Sequence, residues 1–93
     1  MALAQTQVTT NITTAAKLVM GQTRRRGIVI KNTDATNNAV IGSSTVTAAG
    51  ATGGLILKPN DSFTAFEGPM AQEEWWAIAA VGTPIISVVE SLL

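Results

Sequence analysis

The chain contains no cysteine, no histidine and no tyrosine, and only 13% of its residues are charged. Each shortage excludes something. Without cysteine there is no disulfide to staple a small domain. Without histidine the commonest general base and metal ligand is gone. Six Lys and Arg balance six Asp and Glu to a formal net charge of zero. A basic footprint is therefore missing, and nucleic acid is not an expected partner. Long apolar runs are missing too. The longest, Trp75 to Val89, is broken by Gly82-Thr83-Pro84, short of the roughly 18 uninterrupted residues that a spanning helix needs. The first residues carry neither the charged region nor the apolar stretch of a secretory leader. The expectation is a soluble protein with no membrane partner.

What is present is a chain of 93 residues, 46% of them hydrophobic, enough for one domain. A domain of this size buries only roughly 60–65% of its unfolded surface, so its core is thin. Sparse charge leaves Thr, Ser, Asn, Gln, Ala and Gly to cover the surface, and a neutral surface tends to associate. With no disulfide available, oligomerisation or docking onto a larger assembly is the expected support.

Short segments rich in Val, Ile and Thr alternate with Gly/Asn/Asp/Pro clusters. That pattern predicts an all-β fold, a small antiparallel β-sandwich or jelly-roll-like barrel of seven or eight short strands. The strands are expected at about 5–10, 15–20, 25–31, 37–42, 55–57, 62–66, 74–80 and 85–92. Residues 44–48 are either a further strand or a continuation past Gly42. Gly50–Gly54 reads as a flexible loop, Lys58-Pro59-Asn60-Asp61 as a proline turn and Val81–Pro84 as a hairpin between the last two strands. A short helical turn fits within 15–20 or within 69–74. Residues 1–14 form an N-terminal arm with a possible first strand, and 15–93 the sandwich.

Candidate chemistry is thin. Arg24-Arg25-Arg26 is the one charge run, but successive strand residues point to opposite faces, so the three cannot form a single patch. A solvated strand start is expected there, with Arg24 and Arg26 as possible anchors to an acidic partner. Glu67, Glu73, Glu74 and Asp61 have no spacing that fixes an acid/base pair. Asn32, Asp34 and Asn37 offer oxygens to a hard cation but lack the spacing of a calcium loop. No serine has a base beside it in any motif. No enzyme activity, metal or cofactor is expected. Trp75 and Trp76 are adjacent, so one ring points into the core and the other outward. The segments 74–80 and 85–92 are apolar on both faces. One face of each is then covered either by a loop or by a neighbouring subunit.

Several blocks resemble small virion proteins of tailed bacteriophages. They are Gly27-Ile28-Val29-Ile30-Lys31-Asn32-Thr33-Asp34, Asn38-Ala39-Val40-Ile41-Gly42, the turn Leu57-Lys58-Pro59-Asn60-Asp61-Ser62-Phe63, and the final pair Trp76–Thr83 and Ile86–Ser91. The similarity spans about residues 24–91. It departs at Asn60, where glycine is more familiar after the proline, and at Trp75-Trp76, where an aromatic–Ala pair is commoner. It implies a β-sandwich module of the virion: a capsid decoration, or cement, protein on the outer surface of the head, often a homotrimer, with the major capsid protein as partner and no catalytic residues. A tail, head–tail or fibre-base component, and a carbohydrate-binding module, are the competing readings. The residues expected at interfaces are Gln5, Gln7 and Thr9 of the arm, Arg24 and Arg26, Trp75 or Trp76, and Leu92 at the end of the last strand.

Overall fold

The computed structural model describes residues 2–48 and 54–93, and these form eight strands and one helical turn. The strands are β1 (Ala2–Thr9), β2 (Ala16–Val19), β3 (Arg25–Asn32), β4 (Ala39–Gly42), β5 (Leu55–Leu57), β6 (Ser62–Phe66), β7 (Trp75–Ala79) and β8 (Ile85–Leu92). The helical turn α1 is Pro69–Gln72, opened by a proline in its first turn. Most of the glycine loop expected at 50–54 lies outside the described residues.

The chain pairs as one long antiparallel ribbon. β1 meets β8, β2 meets β7, β3 meets β6 and β4 meets β5, while β8 also pairs with β3 and β7 with β4. Rolling that ribbon gives two four-stranded sheets, β1-β8-β3-β6 and β2-β7-β4-β5. Those two strand orders are the jelly-roll arrangement, two Greek keys in a double sheet. One expectation is corrected here. Residues 81–84 do not close a hairpin, because β7 and β8 belong to different sheets. The segment is a corner between the layers, with Gly82 in the left-handed region at φ 70°.

The core fills the space between the sheets. Ile28, Ile30, Ile86 and Val88 from the first sheet face Ala39, Ile41, Leu57, Trp75 and Ala77 from the second. Phe63 and Trp75 meet across this layer, with ring centroids 4.9 Å apart. A second, smaller core lies outside the second sheet, where Val40 and Ile78 pack with Val46, backed by Ala15, Ala48 and Trp76. Residues 44–48 are therefore no strand. They turn after Gly42, where the Val46 N–H donates to the Ser43 carbonyl at 3.1 Å, and lie across the sheet. That loop, rather than a neighbouring subunit, covers the outer face of β7.

Local chemistry explains the connections. Pro59 presets the turn after β5, Asn60 takes the left-handed φ of 67° that follows it, and the Asp61 N–H closes on the Lys58 carbonyl at 2.9 Å. After β6, Glu67 (φ 58°) and Gly68 (φ 85°) bend the chain away before Pro69 starts α1.

Candidate interaction surface

The three arginines have different fates. A register irregularity between Arg25 and Gly27 on β3 switches the alternation, so Arg25, not Arg26, turns inward with Ile28 and Ile30. Arg25 is 2% exposed. Its Nε donates to Glu90 Oε1 at 2.7 Å, Nη1 to the Ala71 and Glu73 carbonyls at 3.1 and 2.9 Å, and Nη2 to the Met20 carbonyl at 2.6 Å. One guanidinium thus ties the ends of β2 and α1 to β8. The expected solvated strand start holds for Arg24 and Arg26 and fails for Arg25. Arg24 donates to the Leu93 carbonyl, and Arg26 forms an exposed 3.4 Å ion pair with Glu67.

The tryptophans divide as the strand geometry requires. Trp75 is core, its indole N–H bound to the Met70 carbonyl at 3.0 Å, so it leaves the set of interface residues. Trp76 points out of the second sheet and is half-buried. Its N–H donates to Glu74 at 2.7 Å, and the Lys17 ammonium sits 5.4 Å from its ring centroid while pairing with Glu74 at 3.7 Å. Its ring face is already occupied.

The oxygens weighed as cation donors serve their own loop. Asn32 is fully buried and donates to the Asn37 and Leu57 carbonyls. Asp34 accepts from the N–H groups of Thr36 and Asn37 at 3.0 and 2.7 Å. Those bonds, the Thr36 one foremost, hold its carboxyl below the usual aspartate range. Among the other carboxylates, Asp61 accepts from the Lys58 N–H, and no group of three or more acidic residues gathers among the described residues.

What the topology does assemble is the outer face of the first sheet. With Ile28, Ile30, Ile86 and Val88 inward, their alternates point out and align in rows across four strands. From β1 to β6 the rows are Leu3–Ser91–Gly27–Phe66, Gln5–Val89–Val29–Thr64 and Gln7–Ser87–Lys31–Ser62, with Thr9–Ile85 beyond. Lys31 is the single charge on the face. Two valines stand at its centre, small hydroxyls surround them, and Leu3 (77% exposed) and Phe66 (72%) mark one end. Gln5, Gln7 and Thr9 therefore belong to one surface. Arg24 and Arg26 lie at its rim near the start of β3, and Trp76 is on the opposite sheet. Leu92 falls on the inward parity of β8, opposite Ala2 and Arg25. The members that sequence reading missed are Val29, Val89, Phe66 and the hydroxyls between them.

No protein-family model, curated protein or solved structure matches this chain. No helix among the described residues is long and apolar enough to cross a membrane.

Proposed function

We propose that this protein is a non-enzymatic structural module of a phage virion, a decoration protein that lays the outer face of its first sheet on the capsid shell and stabilises it. The observation that carries the reading is the composition of that face. Protein interfaces are depleted of charge at their centre and keep an apolar core within a polar rim. The row through Val29 and Val89, with its neighbouring rows, has that layout, and such a face exposed on a lone molecule needs a reason. Fold-level analogy points the same way, since double-sheet jelly rolls recur among viral capsid domains, although a fold by itself assigns no function. The implied partners are the major capsid protein and further copies of this chain.

A sugar-binding reading requires exposed aromatic platforms. Trp75 is buried and Trp76 lies under Lys17, which leaves Phe66. A tail or fibre-base position would use the same face, and copy number per particle separates it from decoration.

The test mixes purified protein with mature capsids that lack it and pellets the particles. Near-stoichiometric co-sedimentation is expected, and Val89→Glu should abolish it while leaving the far-UV circular dichroism unchanged. Absence of co-sedimentation by the native chain removes the decoration reading.

A further inference from the structure

The sandwich has four sheet edges, and three of them are guarded. β2 is four residues long, carries Lys17 and is broken by a bulge between Lys17 and Val19. β5 has three residues and runs into Lys58 and Pro59. β6 has five and ends at the left-handed Glu67 and Gly68. Short strands, lysines, prolines and bulges are the devices by which proteins stop edges from pairing.

β1 has none of them. It runs for eight residues, Ala2–Thr9, without charge, glycine or proline, and its register against β8 is unbroken over all eight pairs. The Thr10 N–H donates to the Pro84 carbonyl at 3.0 Å, one step beyond the Thr9–Ile85 pair. Antiparallel ladders alternate, so Ala2, Ala4, Thr6 and Val8 bond to β8. Leu3, Gln5, Gln7 and Thr9 turn their N–H and C=O groups to the open side. Three of those four are the polar residues singled out from the sequence.

We infer that β1 is a pairing edge, and that its occupant is β1 of a second copy, antiparallel across a two-fold axis. A two-fold contact sets a strand against itself, so any charge on it would meet its own sign. β1 is uncharged throughout, and the contact meets no such penalty. The register that gives every open residue a partner sets Leu3 against Thr9 and Gln5 against Gln7. Thr6 then faces its own copy on the axis in a non-hydrogen-bonded pair. Both first sheets join into one eight-stranded sheet whose uncharged outer faces are continuous. This is a two-fold contact, where the phage resemblance implies three-fold assembly, and it stands independently of what that face binds.

The chain has no cysteine, so a single introduced thiol reports the contact. Side chains facing each other in such a pair have Cβ atoms about 4.5–5.5 Å apart, close enough for a disulfide to form with slight adjustment. Thr6→Cys should oxidise rapidly and nearly completely to a disulfide-linked dimer. Thr64→Cys, on the β6 edge, should not. Sedimentation of the native protein should show a dimer. Gln5→Lys with Gln7→Lys sets lysine against lysine twice and should weaken the dimer by roughly tenfold or more. Gln5→Lys with Gln7→Glu sets opposite charges together and should restore it. All four changed positions are exposed, so each variant should keep the native circular dichroism. A monomeric native chain, a trimer, cross-linking of Thr6→Cys no faster than Thr64→Cys, or equal behaviour of the two charge variants would each overturn the inference.

Discussion

The Arg25 guanidinium and the Glu90 carboxylate stand 2.7 Å apart on neighbouring strands, with side-chain exposures of 1% and 14%. The pair is completed by three carbonyls from two other segments, which is why a charge can sit there at all. Removing one partner of such a pair leaves the other charge uncompensated, at about 3–5 kcal/mol. Arg25→Met should therefore shift the urea midpoint strongly downward or unfold the chain. Arg25→Lys should recover little, because a single ammonium cannot reproduce the fork that reaches Met20, Ala71 and Glu73 together. Glu90→Gln keeps an acceptor for Nε but leaves the buried guanidinium without its counter-charge, and should likewise cost about 3 kcal/mol. A native urea midpoint in either Arg25→Met or Glu90→Gln would contradict the stabilising role given to the buried pair.

The two tryptophans should behave as different residues in solution. Trp75→Ala removes a core ring in contact with Phe63 and should cost about 3–5 kcal/mol. Trp76→Ala loses a half-buried ring and an exposed contact with Lys17, and should cost about 1 kcal/mol. With Trp76→Phe, the remaining Trp75 should emit at shorter wavelength and resist acrylamide quenching. With Trp75→Phe, the remaining Trp76 should emit further to the red and quench readily. The reverse order would contradict the assignment of Trp75 to the core.

These contrasts also show what the sequence could and could not disclose. Strand positions were legible because β-branched runs and turn residues are local signals, and Pro59-Asn60 fixes its turn by its own backbone preferences. Partners were not. In a rolled ribbon β8 pairs with β1 and β3, so the nearest segment in sequence, β7, is the wrong neighbour. Arg25 was hidden for a related reason. Strict alternation puts Arg26 on the face of Ile28 and Ile30, and a single bulge reverses the two arginines. Asn32 reads as one of three oxygens offered to a cation, yet its buried amide donates to the Asn37 and Leu57 carbonyls. For the candidate surface, Gln5, Gln7 and Thr9 could be found from alternation within one strand. Val29, Val89 and Phe66 join them only once β8 is known to lie between β1 and β3.

Acid should weaken the loop after β3 through Asp34. The folded state holds its carboxyl below the ordinary aspartate value of 3.8, chiefly through the N–H groups of Thr36 and then Asn37. A depressed carboxyl contributes stability that is present above the unfolded pKa and lost as pH falls through the folded one. Asp34→Asn keeps an acceptor oxygen but no charge. The native chain should melt higher than this variant at neutral pH, and the gap should close as pH drops below about 3.8. A gap that stays constant from neutral pH to acid would show that the charge plays no part.

Gly27 and Phe66 form a cross-strand pair in which the ring lies over the bare backbone. A Cβ placed on Gly27 would stand 2.7 Å from Cδ1 and 2.9 Å from Cε1 of that ring. Because Phe66 is 72% exposed, the ring can swing aside, and Gly27→Ala should change stability by less than about 1 kcal/mol. Phe66→Ala uncovers the glycine, the reverse of the aromatic cover that compensates strand glycines, and should cost about 0.5–1 kcal/mol. The decisive measurement is the double-mutant cycle. Once Gly27→Ala has displaced the ring, removing it should cost measurably less than in the native chain, giving a coupling of about half a kcal/mol. Strict additivity would mean that the ring rests on Gly27 without stabilising it. The exposed Phe66 would then owe its place on the outer face to a partner surface alone.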